Sequence, residues 1–417
     1  MKRFHPSSVL CVIVLAFLLV GGASILWGTF FAKDRTASAR KEVDWRSQYP
    51  FEAAAEPTES SQSVQTDTQS GYLSKINNFQ TLLDNGRENL LGYRALMDLC
   101  GGFRRLTGQT RTGKAILLNN GYMTNLVAPA EQLTLVKDAA SIAALRDSID
   151  APLLYIQVPQ KVCQYDDQMP AGEETYINEN FDRYHALLTG DGVPYFDLRD
   201  ALHKQRLDHY SLYFRTDHHW TLSGGLWAAT AIVNELNTRY NLSLDVSRLD
   251  PALFETLTYP QWYLGPLGRA VSEGYIAADD FSIVYPSYAT SLRVEYPDKE
   301  LTLSGSFYNT LFDWDILATP CTYDKSAYEA LLYGNRPLIR IINEANPDAP
   351  RVLIIRDSYC SAVAPYLSLV CGEVDLIDVR RENGNFDGNL TALIQQTEPD
   401  LVLVMFCSPC NIDRSGG

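Results

Sequence analysis

Arg351-Val-Leu-Ile-Ile-Arg356-Asp357-Ser358-Tyr359 is the stretch on which the fold turns. Four aliphatic residues in a row between two arginines read as a buried strand, Arg351–Ile355. Asp-Ser follows at its carboxyl end, and a helix is predicted over Cys360–Leu369, with Pro365 as a point of kinking. In open α/β sheets, sites lie at that edge. A serine at a helix N-terminus meets backbone N–H groups and a dipole that favour developing negative charge, which suits a nucleophile and its oxyanion. The plainer reading is that Asp357 or Ser358 caps the helix.

Outward from this stretch the pattern repeats. Pro152–Val158, Val193–Leu198, Val374–Val379 and Leu401–Phe406 read as strands. Ala130–Asp147, Glu179–Leu188, Leu222–Arg239 and Asn389–Gln396 read as helices, with Thr221 as N-cap of the third. Strands alternating with helices imply an α/β fold whose mostly parallel sheet is covered on both faces. Lys114–Met123 reads as a hairpin turning at Asn119-Asn120-Gly121. Arg87–Gly108 starts as a helix and turns loop-like at Gly101-Gly102. Residues 253–323 are rich in Tyr, Trp, Gly and Thr and read as an inserted β/loop region. Its aromatics belong either to the core or to a sugar-stacking surface.

The amino-terminal part differs in kind. Ser7–Ala32 carries no charged residue and is long enough for a bilayer-spanning helix, so residues 1–32 are expected to be an uncleaved signal anchor. Residues 33–76 read as a partly disordered spacer, and 77–417 as the folded domain. Lys2 and Arg3 precede the apolar run, while Lys33, Arg35, Arg40 and Lys41 follow it, so the charge bias for orientation is weak. A long following domain is still expected outside the cytoplasm, tethered to the cell membrane. The net charge of -15 argues against nucleic acid as partner. Arg336, Arg340, Arg351 and Arg356 form either a local basic groove or ordinary surface ion pairs. Seven cysteines lie beyond the apolar run, an odd number, and Cys407 and Cys410 have C-x-x-C spacing.

A nucleophilic serine needs a base. Tyr213-Phe-Arg215-Thr216-Asp217-His218-His219-Trp220-Thr221 contains two of only six histidines. Asp217 and His219 are two apart, so in a short turn their side chains can meet, the carboxylate orienting the imidazole. A polar turn with a helix cap explains the same residues more simply. Adjacent histidines with an aspartate also offer zinc-type ligands, but no further ligand cluster is evident, and neither metal nor cofactor is assigned.

Thr216-Asp-His-His-Trp-Thr221 resembles the signature of the DHHW family of extracytoplasmic bacterial proteins. The Asn120-Gly121 hairpin, Met169-Pro170-Ala-Gly172, Val193-Pro-Tyr-Phe-Asp197-Leu-Arg199, Tyr333-Gly-Asn335-Arg-Pro337 and Ile355-Arg-Asp357-Ser358-Tyr359 follow the resemblance in order, over about Gly113 to Val404. That family is similar to the SGNH-hydrolase-like periplasmic alginate O-acetyltransferases. The resemblance implies a three-layer α/β/α domain with Asp217 and His219 as the D-x-H pair and Ser358 as nucleophile. Trp220 is then a structural neighbour, and His218 fills a variable position without a catalytic role. Tyr359, Asn335 and Arg215 become candidates for oxyanion or substrate contacts. The implied chemistry is acyl, foremost acetyl, transfer to or from a cell-envelope polysaccharide, with a membrane-bound O-acyltransferase as donor partner. Water as acceptor makes the same site an esterase. A non-catalytic, membrane-tethered glycan-binding protein that retains the fold is the competing reading.

Overall fold

The computed structural model describes residues 92–380, 389–409 and 412. The expected anchor over 1–32, the spacer over 33–76 and the first residues of the expected domain lie outside them. No helix among the described residues is long and apolar enough to cross a membrane. The chain divides into residues 1–103 and 104–417. Of the first unit only 92–103 is described, the opening turns of the helix Tyr93–Leu106. That helix runs straight through Gly101-Gly102, where a loop was expected. Gly101 is buried, and Arg104 and Arg105 in the last turn complement the helix dipole, which together outweigh the entropic penalty of two glycines.

The second unit is built on the strands β1 (Arg111–Thr112), β2 (Ala115–Leu117), β3 (Met123–Asn125), β4 (Leu153–Gln157), β5 (Tyr195–Asp197), β6 (Phe254–Tyr263), β7 (Asp279–Pro286), β8 (Leu292–Tyr296), β9 (Leu301–Gly305), β10 (Leu338–Asn343), β11 (Arg351–Arg356), β12 (Glu373–Ile377) and β13 (Leu401–Phe406). The main sheet has the order β5-β4-β13-β11-β12-β10-β8-β9. Its first five strands run parallel. From β12 to β9 every pairing is antiparallel. The sheet is thus mixed, and the expected insertion over 253–323 does not stand apart from it. Leu292-Arg-Val-Glu-Tyr296 alternates buried and half-buried residues, so one face joins the core while the backbone pairs with β10. Only β6 and β7 form a separate two-stranded ribbon.

Two cores lie on opposite faces of the sheet. Leu154 and Ile156 of β4, Ile354 of β11 and Leu403 of β13 pack with Leu226, Ile232 and Leu236 of the helix Leu222–Tyr240. Their neighbours Leu153, Tyr155, Leu353, Ile355, Val402 and Val404 pack with Ile142, Leu188 and Ile394 of three helices on the other side. Successive side chains point to opposite faces, which is why uninterrupted apolar runs make the central strands of an α/β/α sandwich. The hairpin forms as read: β2 and β3 pair antiparallel, and Gly121 takes a φ of 86° in the turn.

One element departs from expectation at a critical place. No regular helix follows β11. Ser358–Ala362 is a 3₁₀ turn, and Ala364–Leu367 a separate helical turn with Pro365 near its start. Proline has no N–H to continue an α-helix through this point. The dipole behind Ser358 is therefore that of one short turn rather than of a ten-residue helix.

Candidate active site

Asp357 does what the plain reading of the sequence says: its Oδ1 accepts the Tyr359 N–H at 3.0 Å and caps the turn. Its Oδ2 accepts the Cys407 N–H, just past β13, at 2.6 Å. Ser358 does not cap. Its Oγ lies 2.8 Å from His219 Nε2, across 139 residues of chain. His219 Nδ1 lies 3.1 Å from Asp217 Oδ1. The Tyr263 hydroxyl donates to Asp217 Oδ2 and lies 3.1 Å from Ser326 Oγ. A continuous line of polar contacts therefore runs Ser358, His219, Asp217, Tyr263, Ser326.

The loop that carries Asp217 and His219 is held from several sides. Tyr213 and Trp220 form a short antiparallel bridge at its base. Thr221 then caps the helix Leu222–Tyr240, its Oγ1 accepting from the Gly224 N–H at 3.1 Å. The buried carboxylate of Asp279, at the start of β7, accepts the N–H groups of Arg215 (3.1 Å) and Thr216 (2.8 Å) and the Thr216 hydroxyl (2.6 Å). Trp220 Nε1 donates to the Tyr359 carbonyl at 2.8 Å, tying this loop to the serine turn. Two glycines permit the close fit. A Cβ on Gly225 would meet the Ala362 carbonyl oxygen at 2.0 Å, and one on Gly265 would meet the Asp217 Cβ at 2.5 Å. No larger residue admits the helix to the serine turn, or the segment after β6 to the aspartate.

Burial sets the protonation states. It works to raise the Asp217 carboxyl, but the His219 and His218 imidazoles outweigh it and hold the group well below the usual carboxylate range. Burial, then the His218 imidazole, pull His219 down to about 4 against the opposing carboxylate of Asp217. Near neutral pH the site thus holds a carboxylate beside a neutral imidazole, the state in which Nε2 can take a proton from Ser358. The Tyr328 ring stacks on His219 with centroids 4.0 Å apart. Its buried hydroxyl has no hydrogen-bond partner among the described residues, and burial pushes the phenol well above its ordinary value.

The remaining residues singled out from sequence fall into different places. His218 is closer to the carboxylate than expected of a variable position. Its Nδ1 lies 2.8 Å from Asp217 Oδ1, the same oxygen that faces His219. Asp217, His218 and His219 could offer a metal three ligand atoms within 4.8 Å of one another, and the Nδ1 atoms of both histidines lie against Asp217 Oδ1. The Tyr359 amide is bonded to Asp357, and its hydroxyl donates to the His218 carbonyl at 2.7 Å. Asn335 Oδ1 accepts from Arg356 at 2.8 Å, which leaves Nδ2 as the donor it can offer. The Arg215 guanidinium pairs with Asp279 at 3.2 Å. Of the four arginines read as a groove or as ion pairs, Arg336, Arg340 and Arg351 are ion-paired, and Arg356 is wholly buried. Of the aromatics in the insertion, Tyr263, Phe281, Tyr296 and Phe307 are core residues. Tyr263, Asp279, Ser326 and Tyr328 were not foreseen. For Tyr263 the one signal was the tyrosine-rich composition of residues 253–323, which does not say which tyrosine turns inward.

Residues 124–270 match the family described as SGNH hydrolase-like domain, acetyltransferase AlgX. That stretch contains Asp217 and His219 and ends before Ser358. No curated protein matches the sequence. Among solved structures, the chain is similar to a DHHW family protein from Eubacterium siraeum at 17% identity and a TM-score of 0.57, covering 73% of this chain and 94% of that one. It is similar to PatB1 of Bacillus cereus, solved with a sulfonyl adduct, at 18% identity and a TM-score of 0.57, covering 73% and 97%. The O-acetyltransferase domain of Pseudomonas putida AlgJ aligns at 16% identity and a TM-score of 0.41, over 70% and 90%. The resemblance drawn from the Thr216–Thr221 signature and its companions holds, and the fold is the SGNH hydrolase-like α/β fold with a mixed sheet.

Proposed function

We propose that this chain transfers acyl groups, foremost acetyl, to or from a cell-envelope polysaccharide, using Ser358 as nucleophile, His219 as general base and acid, and Asp217 as the group that orients His219. The observation that carries the reading is the 2.8 Å approach of Ser358 Oγ to a buried imidazole whose far nitrogen faces a carboxylate. Further support comes from the match to a family described as an acetyltransferase, and from the sulfonyl adduct borne by PatB1. Sulfonyl reagents mark activated nucleophiles.

Ser358 Oγ attacks the acyl carbonyl while its proton passes to His219 Nε2. The imidazolium is stabilised by Asp217, whose second oxygen stays bonded to Tyr263. Collapse of the tetrahedral intermediate breaks the ester bond of the donor, and His219 returns the proton to the departing oxygen. A sugar hydroxyl then attacks the acyl-serine, with the same proton traffic in reverse. Water in its place gives hydrolysis. The Ser358 amide and Asn335 Nδ2 are the proposed oxyanion donors, since the Tyr359 amide is spent on Asp357. The proposal includes a single-pass anchor over residues 1–32, a domain outside the cytoplasm, and a membrane-bound O-acyltransferase as acyl source. The engaged Tyr359 amide is the observation that favours the competing non-catalytic, glycan-binding reading.

Incubation with an activated acetyl ester, followed by peptide mass spectrometry, separates the two. An acetyl group on Ser358 that disappears in Ser358→Ala and His219→Ala is the expected result. Unchanged ester turnover in Ser358→Ala removes Ser358 as nucleophile, and no adduct with several donors leaves the binding role.

A further inference from the structure

Lys161 lies four residues beyond the end of β4 and is almost wholly buried, at 1% exposure. Burying an ammonium is costly unless its protons are satisfied. Here its hydrogen bonds among the described residues all go to main-chain oxygens. Nζ donates to the Met123 carbonyl at 2.7 Å, to the Asp217 carbonyl, and more loosely to the Arg215 carbonyl at 3.4 Å. Three donors meet three acceptors drawn from β3 and from both sides of Thr216. A neutral amine has only two protons to give and would turn a lone pair toward a carbonyl oxygen. The site therefore suits the charged form.

Asp279 grips the same short loop by its opposite groups. It accepts the N–H groups of Arg215 and Thr216 while Lys161 takes the carbonyls of Arg215 and Asp217. Residues 215–217 are thus held between a buried cation and a buried anion, neither of them in the signature. The charged and titratable groups facing Lys161 are Asp217 and Asp279, which favour its charge, and the Tyr122 ring, whose centroid lies 5.8 Å from Nζ. His218, His219 and Arg215 belong to the loop that it holds. Burial draws the ammonium down to about 7, and the two carboxylates resist.

We propose that Lys161 is a positioning residue for the Asp217–His219 pair: its ammonium fixes the Asp217 main chain and supplies the buried positive charge beside the carboxylate. The assignment rests on the acyl-transfer reading for its consequence, but not for its geometry. A cation there favours an ionised Asp217. The loop's position sets the angle at which Oδ1 meets the imidazole.

The test uses the full chain with Lys161→Met, a neutral side chain of similar length, and two readouts compared at equal folded fraction. The first is the rate at which phenylmethanesulfonyl fluoride modifies Ser358. In that step the serine oxygen bonds to sulfur, fluoride leaves, and the proton goes to His219. A fall of about 100-fold is expected, the scale set by a misplacement of about 1 Å. The second is the titration of the His219 imidazole by NMR, expected to move once the Asp217 main chain loses its tie and the carboxylate its cation. If the variant melts earlier but keeps both the labelling rate and the titration, Lys161 is merely structural and the assignment fails. If the wild type is not labelled at all while the titration moves in Lys161→Met, the acyl-transfer reading fails and the positioning role stands. Should Lys161→Met not fold, Lys161→Arg takes its place. The retained charge is expected to leave the titration at its wild-type position, and a shifted titration there overturns the assignment.

Discussion

The parallel half of the main sheet and the segments gathered around its antiparallel extension do different work. The parallel half, β5-β4-β13-β11-β12, presents Ser358 at the end of β11, and the helix after the signature loop packs on its face. The antiparallel extension and the segments around it contribute no reacting group to the proposed chemistry. Instead, β6, β7 and the turn at Ala327–Ala330 bring up Tyr263, Asp279 and Tyr328, which clamp, hold and cover the imidazole–carboxylate pair. The contrast teaches that reacting groups and their supports are encoded differently. A strand-Asp-Ser or an Asp-x-His announces itself locally. A tyrosine that seals a carboxylate is one aromatic among many until the chain folds over it.

Substitutions on the two sides are expected to differ accordingly. His219→Ala removes the proposed base and is expected to cut the sulfonylation rate of Ser358 by at least about 10³-fold with little change in unfolding midpoint. A loss below tenfold would deny His219 that role. Tyr263→Phe removes a hydrogen bond to a buried carboxylate, worth about 1.5–3 kcal/mol, so about a 10- to 100-fold slower reaction is expected. An unchanged rate would erase the division of labour between the two regions. Gly225→Ala drives a methyl into the Ala362 carbonyl, and denaturant titration is expected to show about 1–3 kcal/mol of lost stability. Arg340→Ala, on β10 and partly exposed, breaks ion pairs with Glu373 and Asp375 and is expected to cost about 0–1 kcal/mol without changing the rate.

Acid sharpens the comparison from another direction. His219 is held near 4, well below its ordinary 6.5, so the unfolded chain takes up the proton first. The stability it contributes is complete above about 6.5 and is lost as pH falls toward 4. His185 is likewise drawn to about 4 by burial, far from Ser358 in sequence, in the helix Ile177–Gly190. Replacing His185 by Gln is expected to blunt the acid loss of stability without moving the acid limb of Ser358 labelling. If that limb moves, the two imidazoles are coupled.

Much of this could be read from the chain. The buried strands β4, β11 and β13 and the Thr221 cap follow from periodicity and motif, whereas the joining of Asp217 and His219 with Ser358 is what the family resemblance implies. The regular helix after Ser358 was misjudged because Pro365 does more than kink it. Residues 253–323 are β structure and loops, as read, but alternation in Leu292–Tyr296 marks a strand without saying which sheet receives it. Lys161 and Asp279 were invisible for a simpler reason. A buried charge that binds main-chain groups leaves no pattern in side-chain spacing.

The strand order has a consequence for how the protein comes into being. Strand β13 follows every other described strand in the chain, yet it lies at the middle of the parallel half, between β11 and β4, and the residue after it bonds to Asp357. While a ribosome is still making residues 401–407, β4 and β11 have no neighbour to share and the serine turn lacks one of its ties. A nascent chain that lacks β13 can therefore display the whole signature loop before the sheet that seats the serine turn is complete.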